Sequence, residues 1–559
     1  MTKEQQRQVE ANIKQMGALY GENHVLEVDP DPSHSIKCAN GTFVPKMQGT
    51  VRAFRGIPFA LPPVGERRWK KPEPTSDGNE VREAYFNAKS PIQTQIFSER
   101  ASCYPQSEDC LYLNIWINDA CAAKNKPIMV FIHGGSYGWG GTADPLYDGY
   151  NFVSLNPDII LITIAYRTGI LGFLDLSYLK GGEDFPDAPN LGLLDQIEAL
   201  RWIQKNGAAL GGDIHNVTVF GESAGGGSVS ILPIMKEAKR LFKRVIAESG
   251  SLALTYSKEE CKELTDRLIK EAKSEDVYAL MALSEEEISK LNQPLNDYNN
   301  FPMRDGRYIP LDPYEPYRNG ETKDIDMIFG TNANEMHYWI GELGGLFQYC
   351  LGMPIKFKGD VKTVGEEDKP RVKEFMKLIE GNRVNKVTEF YNETMFRLPA
   401  IVQAEAHAKN GGNMYMYYWQ EESKIDLYKA CHAVELAYVF YNIEDTVYTG
   451  EKADEGLARQ TAKAWASFAR SGDPSCDGIE WKKYDGESRN TMTIQKEGWT
   501  VVSDPLQKQR ELLTPVVKYM INPGLANVDL DMSLFTKTKS LVNASFNAIS
   551  FLVSEKKIS

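Results

Sequence analysis

A serine flanked by glycines, at Gly221-Glu222-Ser223-Ala224-Gly225, is the feature of this chain richest in chemistry. A hydroxyl held out on a tight turn is suited to nucleophilic attack in acyl transfer. The surrounding tract, NVTVFGESAGGGSVSILPIMKEAKRLF (Asn216 to Phe242), reads as strand, turn and helix in that order. A second match, Gly134-Gly135-Ser136-Tyr137-Gly138, also follows a strand, but WGGTADPLYDG comes next and reads as loop. Ser223 is therefore the expected nucleophile, and the tract from His133 to Gly138 takes a different role. Its glycines let the backbone approach a substrate, so it is expected to offer N–H donors to a developing oxyanion, together with the N–H of Ala224. His133 itself is read as a brace for that loop.

A serine hydroxyl needs a base, and histidine is the side chain whose titration range suits the task. With the nucleophile on a strand-turn-helix, the base is expected late in the chain and after the acid, which leaves His337, His407 and His432 of seven histidines. His407 sits in a helical pattern, PAIVQAEAHAKNGG, and is read as surface. His432 opens a helix after a polar loop, a natural place for a base, whereas His337 is only two residues from the favoured acid. That acid, which steadies the imidazole, should follow a strand. Glu335 comes five residues past the run ending at Gly330, while Asp324 and Asp326 lie before or within that run. Spacing alone leaves the choice of acid open.

These residues need a scaffold, and short apolar runs alternating with helical patterns supply one. The runs are Pro127 to His133, Asp158 to Arg167, Asn216 to Gly221, Lys243 to Gly250, Asp324 to Gly330 and Asn413 to Trp419. They are nearly continuously apolar, as strands are when helices cover both faces of a sheet. Leu193 to Gly207 has apolar residues at helical spacing and a closing glycine. The alternation predicts an α/β fold with a mostly parallel sheet. No repeat or linker divides the chain, so residues 1–523 are expected to form a single catalytic domain, with 524–559 as a C-terminal tail or helix. The segments 251–323 and 336–412 exceed ordinary connections and are expected to wall in a pocket.

Composition narrows the remaining possibilities. Of 559 residues 42% are hydrophobic and 25% charged, which excludes a disordered or fibrous chain. Sixty-three basic residues against 76 acidic give a net charge of −13, with no basic stripe, so no nucleic-acid partner is expected. The N-terminal residues are polar and charged with no apolar core, and a cytoplasmic location is expected. Leu541 to Val553 is too short to span a bilayer and reads as an amphipathic helix. Eight cysteines form no CxxC pair and no zinc-spaced cluster, so no metal site is expected and the thiols are read as free. The sequons at Asn40, Asn216, Asn392 and Asn543 are what chance supplies.

Several long motifs in fixed order resemble the type-B carboxylesterases, the cholinesterase-like branch of the α/β-hydrolases. They include FRGIPFALPPVGERRW, SEDCLYLNIW, AYRTGILGFL, the tract from Asn190 through GESAGG, FGTNANE and CHAVELAYVF, and the match runs from about Gly49 to Asn522. The resemblance implies an α/β-hydrolase fold, with helices on both faces of the sheet and helical insertions around a deep gorge. It implies Ser223, Glu335 and His432 as catalytic triad, Gly135, Ser136 and Ala224 as oxyanion donors, and no cofactor. Glu222 and Ser249 match positions just behind the site, where support of the triad and ordinary structural bonding are both open. His337, Tyr338, Trp339, Phe347 and Tyr349 either line an apolar pocket or pack the insertion. Three departures stand out. Ser136 replaces a usual glycine. Cys110 lacks the partner it has in secreted relatives. The stretch between Gln93 and Cys110 lacks the tryptophan that holds choline. The activity implied is hydrolysis of small to medium, apolar carboxylic esters, in a monomer or dimer. A binding or adhesion protein, or a hydrolase of amides, carbamates or lipid esters, is the alternative.

Overall fold

The computed structural model describes residues 14, 17–27, 31, 33–93, 104–292, 295, 300–342 and 346–521. Fourteen strands among them join in one sheet. In chain order they are β1 (Val25–Leu26), β2 (Ile36–Cys38), β3 (Gly41–Gln48), β4 (Val51–Pro58), β5 (Val81–Ala84), β6 (Tyr112–Asn118), β7 (Lys126–Ile132), β8 (Ile160–Ile164), β9 (Gly212–Glu222), β10 (Arg244–Glu248), β11 (Asp326–Asn332), β12 (Met414–Trp419), β13 (Asn490–Gln495) and β14 (Gly498–Ser503). The spatial order β8-β7-β9-β10-β11-β12-β13 is parallel throughout, and antiparallel pairs flank it, β6 on β8 and β14 on β13. All six apolar runs singled out in the sequence lie in this parallel centre.

The continuous apolar runs follow from burial on both sides. Successive strand side chains point to opposite faces. Ile128, Val130 and Ile132 of β7 and Ile160, Ile162 and Ile164 of β8 enter one core, which the helix Leu191–Asn206 covers. Met129, Phe131 and Leu161 enter the other, beneath the helix Glu455–Ser471. Two buried polar links pin the helix Leu191–Asn206. Asp195 receives the backbone N–H, Nε and Nη2 of Arg167 at 2.7 to 3.0 Å, and Gln196 Nε2 donates to Ser228 Oγ at 3.0 Å. The second link ties it to the helix that follows Ser223.

The segment 251–323 contains the helices Lys258–Ala272, Val277–Met281, Glu285–Asn292 and Glu315–Arg318. The segment 336–412 is helical over most of its length and includes a π-helix, Asn392–Arg397. Among the described residues no helix is long and apolar enough to cross a membrane. Leu541 to Val553, the rest of 524–559 and Asn543 lie outside the described residues. Cys110 is a buried thiol, and Cys38, Cys121, Cys431 and Cys476 form no disulfide. Cys103 and the side chain of Cys350 lie outside the described residues.

Candidate active site

β9 ends at Glu222, and Ser223 stands between it and the helix Ala224–Ile231 with φ 58° and ψ −119°. A non-glycine residue in that region costs roughly 1–3 kcal/mol and needs its neighbours to hold it. The Ser223 N–H donates to Glu248 O at 2.9 Å, and its carbonyl accepts from Gly227 N at 2.8 Å. The flanking glycines are a matter of clearance. A β carbon on Gly225 would lie 1.9 Å from Ile132 O, and one on Gly221 2.6 Å from the same atom. The helix can therefore start against the end of β7 only if both positions are bare.

The loop after β7 meets this turn. His133 is fully buried, its ring stacked on Tyr166 at 4.4 Å, and burial pushes its pKa down to about 4, so the ring is neutral. Its Nδ1 is 2.8 Å from Gly134 O, which can only accept, so the proton sits on Nδ1. Gly135 O in turn accepts from Gly138 N and Trp139 N at 2.9 and 3.0 Å. In a trans peptide the C=O and the next N–H point opposite ways. With both carbonyls engaged inside the loop, the N–H groups of Gly135 and Ser136 are turned the other way. Both residues line a cavity that Ser223 also lines. Ala224 is fully buried at the first position of its helix, beside that cavity rather than in its wall. Its N–H is among those a helix start leaves without a partner inside the helix.

Glu335 lies on the turn after β11, completely buried. Its Oε1 accepts from Ser249 Oγ and from Asn332 N, each at 2.7 Å, and its Oε2 meets His432 Nδ1 at 2.7 Å. The sequence-expected Ser249 thus bonds the acid directly. The other ring nitrogen, His432 Nε2, lies 3.0 Å from Glu222 Oε1, but the two are out of hydrogen-bond alignment. No hydrogen bond joins Nε2 to Ser223 Oγ among the described residues, although Ser223 and His432 line the same cavity. Such contacts commonly tighten only when substrate is bound. Burial first, then the neighbouring Glu335, pushes the Glu222 carboxyl well above the usual carboxylate range.

The cavity wall is aromatic, with Tyr104, Trp139, Tyr147, Tyr338, Trp339 and Tyr448 around Ser223 and His432. Tyr338 and Trp339 were candidates for this lining. The helix Leu346–Thr363 includes Phe347 and Tyr349, whose side chains lie outside the described residues. His337 is set apart from the cavity, its Nδ1 2.7 Å from Leu427 O. A second hollow of about 340 Å³ shares only Asp144 with this cavity and contains none of Ser223, Glu335 or His432.

Two readings of the sequence are corrected here. His407 is not on the surface; it is completely buried, with Nδ1 3.0 Å from Thr322 Oγ1. Three contributors were not singled out. Phe396 packs its ring 5.1 Å from that of His432. Asn332 donates its amide to Cys431 O at 2.8 Å and to Glu435 Oε2 at 2.6 Å. Glu435 is buried and pushed up to about 8, chiefly by burial and then by Glu222 and Glu335. His432 does not open a helix as expected: residues 432–435 form a turn, with Ala433 at φ 66°, and the short helix Leu436–Val439 follows, so helical spacing from His432 could not have pointed to Glu435.

Comparison with known proteins gives this geometry a context. The profile described as "Carboxylesterase family" matches residues 39–512. The para-nitrobenzyl esterase of Bacillus subtilis (strain 168) is 33% identical over 501 residues, covering 84% of this chain and 97% of that protein. Carboxylesterase 1E of Mus musculus is 31% identical, covering 83% and 87% respectively. The crystal structure of carboxylesterase EST55 of Geobacillus stearothermophilus superposes with a TM-score of 0.77 at 32% identity, covering 86% of this chain and 99% of that one. Fold, family profile and relatives agree: the chain belongs to the carboxylesterase family, is an α/β-hydrolase, and is a carboxylic ester hydrolase.

Proposed function

We propose that Ser223, His432 and Glu335 form a catalytic triad that hydrolyses carboxylic esters through an acyl-enzyme. The observation that carries this is the 2.7 Å contact of His432 Nδ1 with Glu335 Oε2 at the wall of a cavity shared with Ser223. Because Nδ1–H is committed to the carboxylate, Nε2 carries the lone pair, so it can take the Ser223 proton during attack on the ester carbonyl. The tetrahedral oxyanion is received by the N–H groups of Gly135, Ser136 and Ala224. The imidazolium then protonates the leaving alcohol. Water enters, gives its proton to His432 and attacks the acyl-serine, and collapse of the second oxyanion returns the proton to Ser223 Oγ. Each step conserves protons without a cofactor.

Aromatic walls with few charges suit small to medium apolar esters. The reading extends to a single catalytic domain over residues 1–523 and a cytoplasmic enzyme that binds no nucleic acid. A fluorophosphonate probe tests the assignment: it should label the wild type and not Ser223→Ala. An unlabelled wild type, or equal labelling of the variant, overturns it. Rates for p-nitrophenyl acetate, long-chain esters and an anilide then set the substrate range.

A further inference from the structure

We propose that Asn392, the first residue of the π-helix, is a positioning residue that holds the acid against the base. This deepens the triad reading and rests on it. Asn392 is 3% exposed, so its sequon is closed to a glycan in the folded chain. Its Oδ1 accepts from Met336 N at 2.9 Å, and its Nδ2 reaches Ala333 O at 3.5 Å. Those two backbone groups stand on either side of Glu335, so one side chain clamps both ends of the acid's turn. The rest of the turn is tied to other elements, Ala333 N to Trp419 O and Asn334 N to Ala430 O. The backbone bond from His337 N to Asn334 O at 2.9 Å crosses the turn from within, and Asn392 adds a side-chain bridge across it from another element.

The irregular helix explains why the clamp sits there. A π-helix inserts one residue into the turn and changes the direction in which following side chains project. The same six residues present Asn392 to the Glu335 turn and Phe396 to the His432 ring, whose centroid is 5.1 Å away. Buried Arg397 bonds Glu393 through Nε and Nη2 at 2.8 and 2.6 Å, fixing the segment from within. Acid and base lie 97 residues apart in the chain, and this segment, which comes between them, touches both. A misplacement of about 1 Å in such an arrangement can cost on the order of 100-fold in rate.

The test is steady-state hydrolysis of p-nitrophenyl acetate by the full chain. Asn392→Ala should lower kcat by roughly 10- to 100-fold with KM within about twofold of wild type. Asn392→Asp, which keeps the acceptor for Met336 N–H and loses the donor, should fall between the two. An unchanged kcat in Asn392→Ala, or a loss carried by KM, overturns the proposal. If the alanine variant does not fold, the aspartate variant decides: kcat equal to wild type overturns the clamp, and a reduced kcat at constant KM supports it. A wild type that neither turns over substrate nor takes the phosphonate on Ser223 would instead remove the triad reading itself.

Discussion

Replacing Glu335 by glutamine should inactivate the site while leaving the fold intact, for a reason visible in the hydrogen bonds. Glu335 accepts at three places: Oε1 from Ser249 Oγ and Asn332 N, Oε2 from His432 Nδ1, all at 2.7 Å. A glutamine must put its oxygen at one site and its NH₂ at the other. The Asn332 N–H is fixed at the end of β11 and cannot become an acceptor, so the oxygen stays there. The NH₂ then faces His432 Nδ1, which must offer a lone pair, and the ring proton moves to Nε2. An Nε2–H cannot take the Ser223 proton. A wrong tautomer of this kind costs about 10⁴ in kcat, or about 5.5 kcal/mol of barrier. The donors that now meet Oε1 stay paired and only the second amide N–H gains no acceptor, so the melting temperature should fall by no more than a few degrees. Ser249→Ala is the control: it removes one of two donors at Oε1 and keeps the tautomer, so its loss should be roughly tenfold. The assay is kcat for p-nitrophenyl acetate beside thermal unfolding. A glutamine variant within tenfold of wild type, or less impaired than Ser249→Ala, would refute the reasoning.

Two further expectations concern stability and redox state. Burial pushes His407 and His133 from 6.5 down to about 4, so the unfolded chain takes up protons on falling through pH 6.5 that the native chain refuses until about pH 4. Stability from these sites is complete above pH 6.5 and is lost as pH falls toward 4, by about 3 kcal/mol for each ring. Urea midpoints at pH 7 and pH 4.5 should therefore differ less in His407→Gln than in wild type, and an equal difference in both would exclude this origin. Thiol titration in denaturant without reductant should find eight sulfhydryls, one for each cysteine; a smaller number would mean disulfides and argue against a reducing compartment.

What the sequence made legible follows from the range of the interactions involved. The parallel strands could be read because each is buried on two faces, and the nucleophile turn because its glycines are local: Gly221 and Gly225 stand within two residues of Ser223. His407 was misread because its helix carries small residues on every side, so periodicity could not say which face is covered. Its partner, Thr322, is 85 residues away. Asn392 was equally invisible: its bond to Met336 N spans 56 residues, and the π-helix that aims it differs from an α-helix by one residue of register. A sequon match drew attention to the asparagine for a reason unrelated to its contacts.

The buried carboxyls explain how the site concentrates charge where the base can use it. Glu222, Glu248, Glu335 and Glu435 are all nearly or fully buried around one small region. Four charges there would repel one another through a medium that screens poorly. The hydrogen bonds distribute the roles unequally. Glu335 alone meets three donors at 2.7 Å, with both oxygens accepting. Glu248 has Trp465 Nε1 on one oxygen and no partner on the other, and Glu222 has no aligned donor on Oε1. Burial pushes both well above the usual carboxylate range, with Glu435 beside Glu248 and Glu335 beside Glu222 adding to it, and Glu435 rises to about 8. Burial therefore penalises charge on Glu222, Glu248 and Glu435, while the fullest set of donors is gathered on the carboxylate that faces His432 Nδ1. Burying acids with fewer donors beside one acid with three is what lets a crowded apolar interior favour charge next to the imidazole.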